Sequence, residues 1–222
     1  MNMSKKELTR PVMIILYGFP GSGKTYFARQ LCNDLKAAHI QDDKIRSELF
    51  EKPVYSREEN QIVNNLMNYM TEEFSSAGIS IIYDTNTARI SQRRALRELA
   101  AKNKVEDLMV WLQIDIESSF SRVVKRDRRK IDDKYASPMD RSTFEKLVHN
   151  MQNPTNTEKY IVLSGKHSYT TQKNMIFKRF VDMGLIIPNL TDNKSPRPGM
   201  VNIIPGMQSG RVDSSRRNIF IR

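Results

Sequence analysis

Residues 18–25 read Gly-Phe-Pro-Gly-Ser-Gly-Lys-Thr, and this octapeptide limits the fold of the chain more than any other segment. It fits the pattern G-x-x-x-x-G-K-[ST] in full. An apolar run, Val12–Tyr17, precedes it, and an amphipathic helical pattern follows it. In that context the glycines let successive backbone N–H groups turn inward, so that the loop binds phosphate at the start of a helix. The sequence therefore predicts a phosphate-binding loop between a strand and a helix.

The two residues that end this loop are predicted to act on a nucleoside triphosphate. Lys24 reaches the β- and γ-phosphates, and the Thr25 hydroxyl binds the Mg²⁺ ion that bridges them. We therefore expect ATP and Mg²⁺ as cofactors. The predicted nucleotide-binding residues are Gly18, Phe19, Pro20, Gly21, Ser22, Gly23, Lys24, Thr25 and Tyr26.

Short apolar runs alternate with longer helical periods along most of the chain. This alternation is typical of βαβ units and a parallel sheet. The predicted fold is a three-layer α/β P-loop NTPase with a five-stranded parallel sheet, a helical lid and an extended C-terminal tail. The predicted strands are Val12–Tyr17, Ala38–Ile40, Ile79–Tyr83, Leu108–Ile114 and Tyr160–Leu163. Among the predicted helices, one runs from about Glu117 to Lys130, and another starts at Ser137 or Ser142.

The length of 222 residues suits one catalytic domain with an appendage. We assign residues 1–187 to a kinase-sized domain and residues 188–222 to an extended tail, because Pro, Gly, Asn and Ser replace the helical pattern from Pro188. The tail carries six basic and two acidic residues. It is either a polyanion-binding segment or a loosely ordered extension.

The formal net charge of +11 favours polyanionic partners, nucleic acid among them, through the basic surface and tail. The charge needed around nucleotide phosphates is the alternative explanation. No apolar run has the roughly 20 residues of a membrane helix, so no membrane partner is expected. The single cysteine, Cys32, excludes an internal disulfide, and a cytoplasmic location is expected.

Polar residues that follow the predicted strands form the other half of the candidate site. Asp43 and Arg46 lie three residues apart on one face of a starting helix, so that a carboxylate could deprotonate an acceptor hydroxyl beside an arginine that binds an acceptor anion. The alternative is that Asp42 or Asp43 caps the helix and Arg46 is solvated.

Asp84 ends a hydrophobic strand. The carboxylate that orders Mg²⁺ in P-loop proteins has the same position. The alternative is that this strand-end aspartate is a turn residue. Thr85 and Asn86, which follow it, are predicted acceptor contacts. Two weaker patterns remain. His39, His149 and His167 show no metal-ligand spacing, and residues 164–167 are a candidate contact for the nucleotide base.

Residues 122–130 are strongly basic. If the helix runs to Lys130, then Arg122, Lys125, Arg126 and Arg129 share one face. With the polar stretch after it, this segment is predicted to form a phosphate-clamping lid over about residues 126–142, in which Arg126 or Arg129 is catalytic. A solvated basic helix is the alternative.

The glycine loop, the D-x-x-R of Asp43 and Arg46, the Asp84-Thr85-Asn86 triplet followed by Arg93-Arg94, and the arginine-rich lid together resemble a known group. They are similar to the small P-loop kinases typified by the 5′-hydroxyl kinase domain of bacteriophage polynucleotide kinase, near the zeta toxins and chloramphenicol phosphotransferase. The resemblance covers about residues 12–183. It implies that the aspartate of D-x-x-R is the general base, that its arginine binds the acceptor's phosphate, and that a lid arginine contacts the transferring phosphate. Nothing resembles the phosphatase domain of the phage enzyme.

The expected function is therefore ATP- and Mg²⁺-dependent phosphoryl transfer to a hydroxyl acceptor, with a nucleic-acid 5′-hydroxyl as one candidate. A small-molecule kinase acting on a nucleotide, sugar or antibiotic is the nearest alternative. A nucleotide-dependent ATPase switch or RNA-binding module is another, because such a protein needs the loop but no acceptor base.

Overall fold

A parallel sheet of five strands forms the core of the computed structural model, which describes residues 5–187. Its order in space is β2-β3-β1-β4-β5, so that the glycine loop after β1 lies at the middle of the carboxyl edge. The predicted parallel five-stranded sheet is confirmed. The strands are β1 (Val12–Tyr17), β2 (Ala37–Gln41), β3 (Ser80–Asp84), β4 (Glu106–Gln113) and β5 (Tyr160–Ser164).

Helices cover both faces of the sheet and complete the three predicted layers. All residues of β1 are buried, as expected for a strand with helices on both sides. The helices are α1 (Lys24–Asp34), α2 (Asp42–Leu49), α3 (Arg57–Ser76), α4 (Ile90–Lys102), α5 (Ile116–Val124), α6 (Arg141–His149) and α7 (Tyr169–Asp182).

Alternation along β1 divides the hydrophobic core into two parts. Ile14 and Leu16 pack with residues of α1 and α7, whereas Met13 and Ile15 pack with residues of α3 and α4. Because both faces are anchored in this way, a shift of β1 by one residue would exchange its two sets of partners. The register of β1, and with it the position of the glycine loop, is therefore fixed by the core.

The helix predicted to end at Lys130 ends at Val124, so that prediction was wrong. Five of the six residues from Lys125 to Lys130 are cationic, and like charges one turn apart oppose a helix. Asp127 instead organises a turn, since its carboxylate accepts hydrogen bonds from the backbone and side chain of Arg129. The predicted helical face of Arg122, Lys125, Arg126 and Arg129 therefore does not form, and the predicted lid consists of turns between α5 and α6.

Other helix starts differ by a few residues from the prediction. Helix α6 begins after Asp140, whose carboxylate accepts from the Thr143 N–H at 2.8 Å, and not at Ser137 or Ser142. The Ser56 hydroxyl caps α3 by accepting from the Glu59 N–H. The Glu59 side chain does not complete a capping box, because it turns toward Arg46 and the backbone N–H groups of Val54 and Tyr55.

A buried ion pair lies beneath the carboxyl edge of the sheet. Arg93 of α4 is 1% exposed and makes a two-pronged contact with the Glu158 carboxylate at 2.8 and 3.1 Å. Its remaining nitrogen donates to the Thr87 carbonyl, and its guanidinium lies over the Tyr17 ring. Arg93 therefore ties α4, β1 and the segment before β5 together, while its neighbour Arg94 is exposed and pairs with Glu98.

No helix within residues 5–187 has both the length and the apolar character needed to cross a membrane. The tail predicted for residues 188–222 lies outside the described residues.

Candidate active site

The glycine loop forms a cradle, and side chains in place of its glycines would fill that space. Gly18, Gly21 and Gly23 all have positive φ angles. At Gly21, where φ is 84°, a Cβ atom would lie 2.5 Å from the Ser119 carbonyl oxygen, so any other residue would be both strained and obstructed. The Ser119 hydroxyl also donates to the Pro20 carbonyl at 2.6 Å. Helix α5 thus holds the loop in a shape that suits a phosphate chain.

Lys24 lies at the mouth of this cradle. Its ammonium donates to the carbonyls of Gly18 and Phe19 at 2.9 and 3.0 Å. Burial lowers the pKa of Lys24, and Arg126 acts in the same direction, while the carboxylates of Asp84, Asp42 and Asp43 oppose the shift. Such a lysine gains from the arrival of phosphate oxygens, because they replace weak carbonyl partners with full negative charge.

A single cavity of about 1080 Å³ joins the loop to the acceptor side. That volume lies at the upper end of the range for ligand pockets, roughly 1,000 Å³. Of the predicted nucleotide-binding residues, Pro20 to Tyr26 line it, whereas Gly18 and Phe19 contribute carbonyls to Lys24. The predicted acceptor-side residues that line it are Asp43, Arg46, Asp84, Thr85, Asn86 and Arg126.

Asp84 occupies the end of β3, where it is 3% exposed. The imidazole of His39 lies beside it, with Nε2 3.1 Å from Asp84 Oδ2. His39 pairs with Ile82 across β2 and β3, so its side chain is a diagonal neighbour of Asp84. His39 has no metal-ligand spacing in the sequence, and its contact with Asp84 follows only from the strand pairing.

Thr25 and Asp84 suit a Mg²⁺ ion that takes most of its ligands from nucleotide phosphates and water. Within residues 5–187 no group of three or more His, Cys, Asp or Glu side chains could hold a metal ion by itself. This fits Mg²⁺ chemistry, since that ion usually keeps several waters and uses one or two protein ligands together with substrate phosphates.

Asp42 and Asp43 start α2, but neither is its N-cap; that position is Gln41. Asp42 accepts from the Thr85 hydroxyl at 2.5 Å and from the Asp43 N–H at 2.6 Å. Burial raises the pKa of Asp42, and the Asp84 charge adds to this effect. Asp42 thus holds the start of α2 against Thr85, the residue that follows β3.

The Asp43 carboxylate faces the cavity and is not restrained by a hydrogen bond within residues 5–187. Burial, followed by the charges of Asp42 and Asp84, raises the pKa of Asp43 to about 7, against the lowering effect of Arg126 and Arg46. A carboxylate with this pKa is well matched to accepting a proton near neutral pH.

Arg46 also lines the cavity, but its guanidinium already has protein partners. It donates to Glu59 at 3.1 Å and to Asn60 at 2.6 Å, and it lies 4.5 Å from the centre of the Tyr55 ring. Neither Glu59 nor Tyr55 was expected from the sequence to contact a residue of the site. Arg46 therefore joins α2 to α3 and shapes the wall of the acceptor side.

The two lid arginines differ in position. Arg126 lines the cavity and donates to the Ser137 carbonyl at 3.2 Å, and burial lowers its pKa against the charges of Asp43, Asp133 and Tyr55. The Arg129 side chain is 90% exposed and pairs with Asp127. The structure thus brings Arg126, but not Arg129, to Lys24 and Asp43.

If Arg126 is the lid arginine that contacts the transferring phosphate, as the resemblance implies, Arg126→Ala should slow phosphoryl transfer by about 10²-fold or more, because a positioned cation at the developing charge would be lost. Arg129→Ala serves as the matched control and should change the rate by no more than about twofold, since an exposed pair contributes little. Steady-state rates of ADP formation with acceptor present measure both. Equal losses in the two variants would contradict this assignment.

These features define a class of protein. A strand, a glycine cradle with its lysine, and a buried carboxylate at the end of the neighbouring strand together form the nucleotide site of P-loop proteins. The chain belongs to the family described as "AAA domain", a P-loop kinase-like family whose model matches residues 13–154.

Solved structures share this fold at low sequence identity. A sugar kinase from Janibacter sp. has 16% identity over 79% of this chain and 95% of its own, with a TM-score of 0.56. Kti12 from Chaetomium thermophilum, in complex with ADP-AlF3, has 18% identity over 79% of this chain and all of its own (100%), with a TM-score of 0.56. A chain of the Pnkp1/Rnl/Hen1 RNA repair complex has 18% identity over 66% of this chain and 45% of its own, with a TM-score of 0.55. No curated protein matches the sequence.

Proposed function

We propose that this protein is an ATP-dependent kinase that transfers the γ-phosphate to a hydroxyl group, with Asp43 as the general base. The observation that carries this proposal is the Asp43 carboxylate, which lines the same cavity as Lys24 and has a pKa raised to about 7. A protein that only binds ATP needs no second carboxylate of this kind beside the phosphate cradle.

Each charged group around the cavity has a role in this proposal. Lys24 and Arg126 neutralise the charge that spreads over the transferring phosphoryl group. Asp43 accepts the proton of the acceptor hydroxyl as the oxygen attacks the γ-phosphorus, and ADP leaves. Thr25 and Asp84 would hold Mg²⁺, which would supply positive charge to the phosphate oxygens during transfer.

The acceptor side has a distinct chemical character. Arg46 is neutralised by Glu59, and the neighbouring wall is formed by amide and hydroxyl side chains, among them Asn60, Asn64 and Thr85. Such a wall suits a polar acceptor that presents hydroxyl groups. The net charge of +11 and the fold shared with a chain of an RNA repair complex support a nucleic-acid 5′-hydroxyl; the fold shared with a sugar kinase supports a small molecule.

Transfer of γ-³²P from ATP to two acceptor panels tests this function. One panel holds oligonucleotides with 5′-hydroxyl ends, and the other holds nucleosides, sugars and hydroxyl-bearing antibiotics. We expect label in at least one acceptor, with none formed by Lys24→Ala. ATP hydrolysis without label in any acceptor would instead favour the nucleotide-dependent switch or RNA-binding module, and the kinase assignment would be wrong.

The pH dependence of the reaction follows from Asp43. Its pKa is raised to about 7, so the carboxyl group is protonated, and unable to act as a base, below that pH. We expect kcat/KM to rise about tenfold per pH unit below pH ~7 and to level off above it. A profile measured from pH 5 to 9 checks this, and Asp43→Asn should remove the inflection. A flat parent profile would contradict the role of Asp43.

A further inference from the structure

Two oppositely charged groups of the nucleotide site, Lys24 and Asp84, remain unpaired with each other. Burial lowers the pKa of Lys24, and the Asp84 charge is the largest of the effects that oppose this shift. The Lys24 ammonium nevertheless donates to the carbonyls of Gly18 and Phe19, and within residues 5–187 it forms no salt bridge with Asp84. Because opposite charges attract strongly in a buried site, a competing bond on the carboxylate is needed to keep the two groups apart.

His39 of β2 supplies that bond. Its Nε2 lies 3.1 Å from Asp84 Oδ2, and the two side chains are 20% and 4% exposed. An ionised carboxylate can only accept a hydrogen bond, so Nε2 carries the hydrogen and donates it. Within residues 5–187 no group bonds to the other oxygen, Oδ1. Asp84 therefore has one oxygen engaged by the protein and one left for a ligand.

His39 lies behind Asp84 and not in the cavity. Asp84 lines the cavity that holds the glycine loop, whereas His39 does not. The parallel register of β2 and β3 places His39 opposite Ile82, so the core that fixes this register also fixes the imidazole beside the end of β3. An effect of His39 on a bound nucleotide would therefore pass through Asp84.

We propose that His39 is a positioning residue: its bond to Asp84 Oδ2 keeps this carboxylate from pairing with Lys24 and leaves Oδ1 available to Mg²⁺ or to one of its waters. The inference rests on the proposed function, in which Asp84 serves Mg²⁺. Groups that hydrogen-bond a metal-binding carboxylate from behind typically contribute about 10–100-fold to metal affinity or activity. His39 thus strengthens Mg²⁺ binding without touching the ion or the nucleotide.

Nucleotide binding over a range of Mg²⁺ concentrations tests this role without turnover. The full chain is titrated with the β,γ-imido analogue of ATP, first in EDTA and then at rising Mg²⁺ concentrations. His39→Phe keeps an aromatic ring and removes the donor. We expect the Mg²⁺ concentration that gives half of the gain in nucleotide affinity to rise about 10–100-fold in this variant. The affinity in EDTA should equal that of the parent, because the phosphate cradle is unaltered.

A parent-like Mg²⁺ requirement in a His39→Phe protein with a cooperative thermal transition would overturn the proposal. If the phenylalanine variant does not show such a transition, His39→Leu removes the same donor with a smaller side chain, and the same outcomes apply to it. A loss of affinity in EDTA, with no change in the Mg²⁺ requirement, would show that His39 supports the cradle alone and would likewise overturn the proposal.

His39→Gln is the conservative variant, because its amide nitrogen can donate from about the position of the imidazole Nε2. Its Mg²⁺ requirement should stay close to that of the parent. His149→Phe is the matched control, since His149 is exposed and does not line the cavity, and it should behave as the parent does. Equal losses in His39→Gln and His39→Phe would show that the donor is not responsible, and the proposal would fail.

A double-mutant cycle tests whether His39 acts through Asp84. Asp84→Asn alone should raise the Mg²⁺ requirement, and His39→Phe added to it should raise the requirement little further, because residues that act through one contact are not additive. Fully additive losses would show that His39 acts by another route and would contradict the proposal.

The same data separate this inference from the proposed function. If the Mg²⁺ requirement depends on His39 but no hydroxyl acceptor is ever labelled, the positioning role holds and the kinase assignment fails. If label is transferred but the Mg²⁺ requirement does not depend on His39, the kinase assignment holds and the positioning role fails.

Discussion

Asp43→Asn is expected to slow phosphoryl transfer by about 10²–10⁴-fold while leaving ATP affinity nearly unchanged. The amide occupies the same space as the carboxyl group but cannot accept the proton of the acceptor hydroxyl. Asp43 makes no hydrogen bond through its carboxylate within residues 5–187, and its backbone bond to Asp42 persists in the variant. The loss should therefore appear in kcat and not in nucleotide binding.

Glu48→Gln is a matched control for this experiment, because Glu48 lies on the same helix, is exposed and does not line the cavity. It should transfer phosphate at the parent rate. ATP affinity is measured by titration and transfer by quenched radiolabel assays. Equal transfer rates for Asp43→Asn and Glu48→Gln would show that Asp43 is not the base. The switch hypothesis predicts that result.

Glu158→Ala should lower the free energy of unfolding by about 3–5 kcal/mol, because it leaves the Arg93 guanidinium buried and without its counter-charge. Arg93 is 1% exposed, so water cannot replace the lost carboxylate without opening the structure. Burial raises the pKa of Glu158, but hydrogen bonds from Arg93 and the Thr155 N–H outweigh it, and the net pKa is lowered. The stabilisation is therefore present at neutral pH and is lost as the pH falls through the lowered pKa.

Urea denaturation of the parent and variant measures this difference. Glu98→Ala breaks the exposed pair with Arg94 on the same helix and should cost no more than about 1 kcal/mol. The double variant Arg93→Met with Glu158→Leu should recover much of the stability, because apolar side chains can replace a buried pair. A Glu158→Ala protein as stable as Glu98→Ala would show that the buried pair does not hold this part of the fold.

The glycine loop could be predicted from the sequence because its determinants are local. Gly21, Lys24 and Thr25 lie within five residues of one segment, and the strand before them has an unbroken apolar run. The order of the neighbouring segments then brought Asp43 and Asp84 to the same edge of the sheet, since the carboxyl ends of parallel strands meet there.

The remaining features depend on contacts between distant segments. The contact of His39 with Asp84 requires the pairing of β2 with β3, and the choice between Arg126 and Arg129 requires the point at which α5 ends. A helix continued to Lys130 would place Arg126 and Arg129 on one face. Repulsion within the basic run instead ends the helix before either residue. In the sequence, Arg93 was noted only as part of a motif. Its burial against Glu158 shows that it has a structural role.

The kinase assignment is tested most directly by the fate of the γ-phosphate during a single turnover. Parent protein in excess over γ-³²P-labelled ATP is mixed with the acceptor that the panels identify, and labelled acceptor and free phosphate are separated. We expect most of the label to enter the acceptor, in step with ADP formation. Label found only in free phosphate, at a rate unaffected by the acceptor, would contradict it.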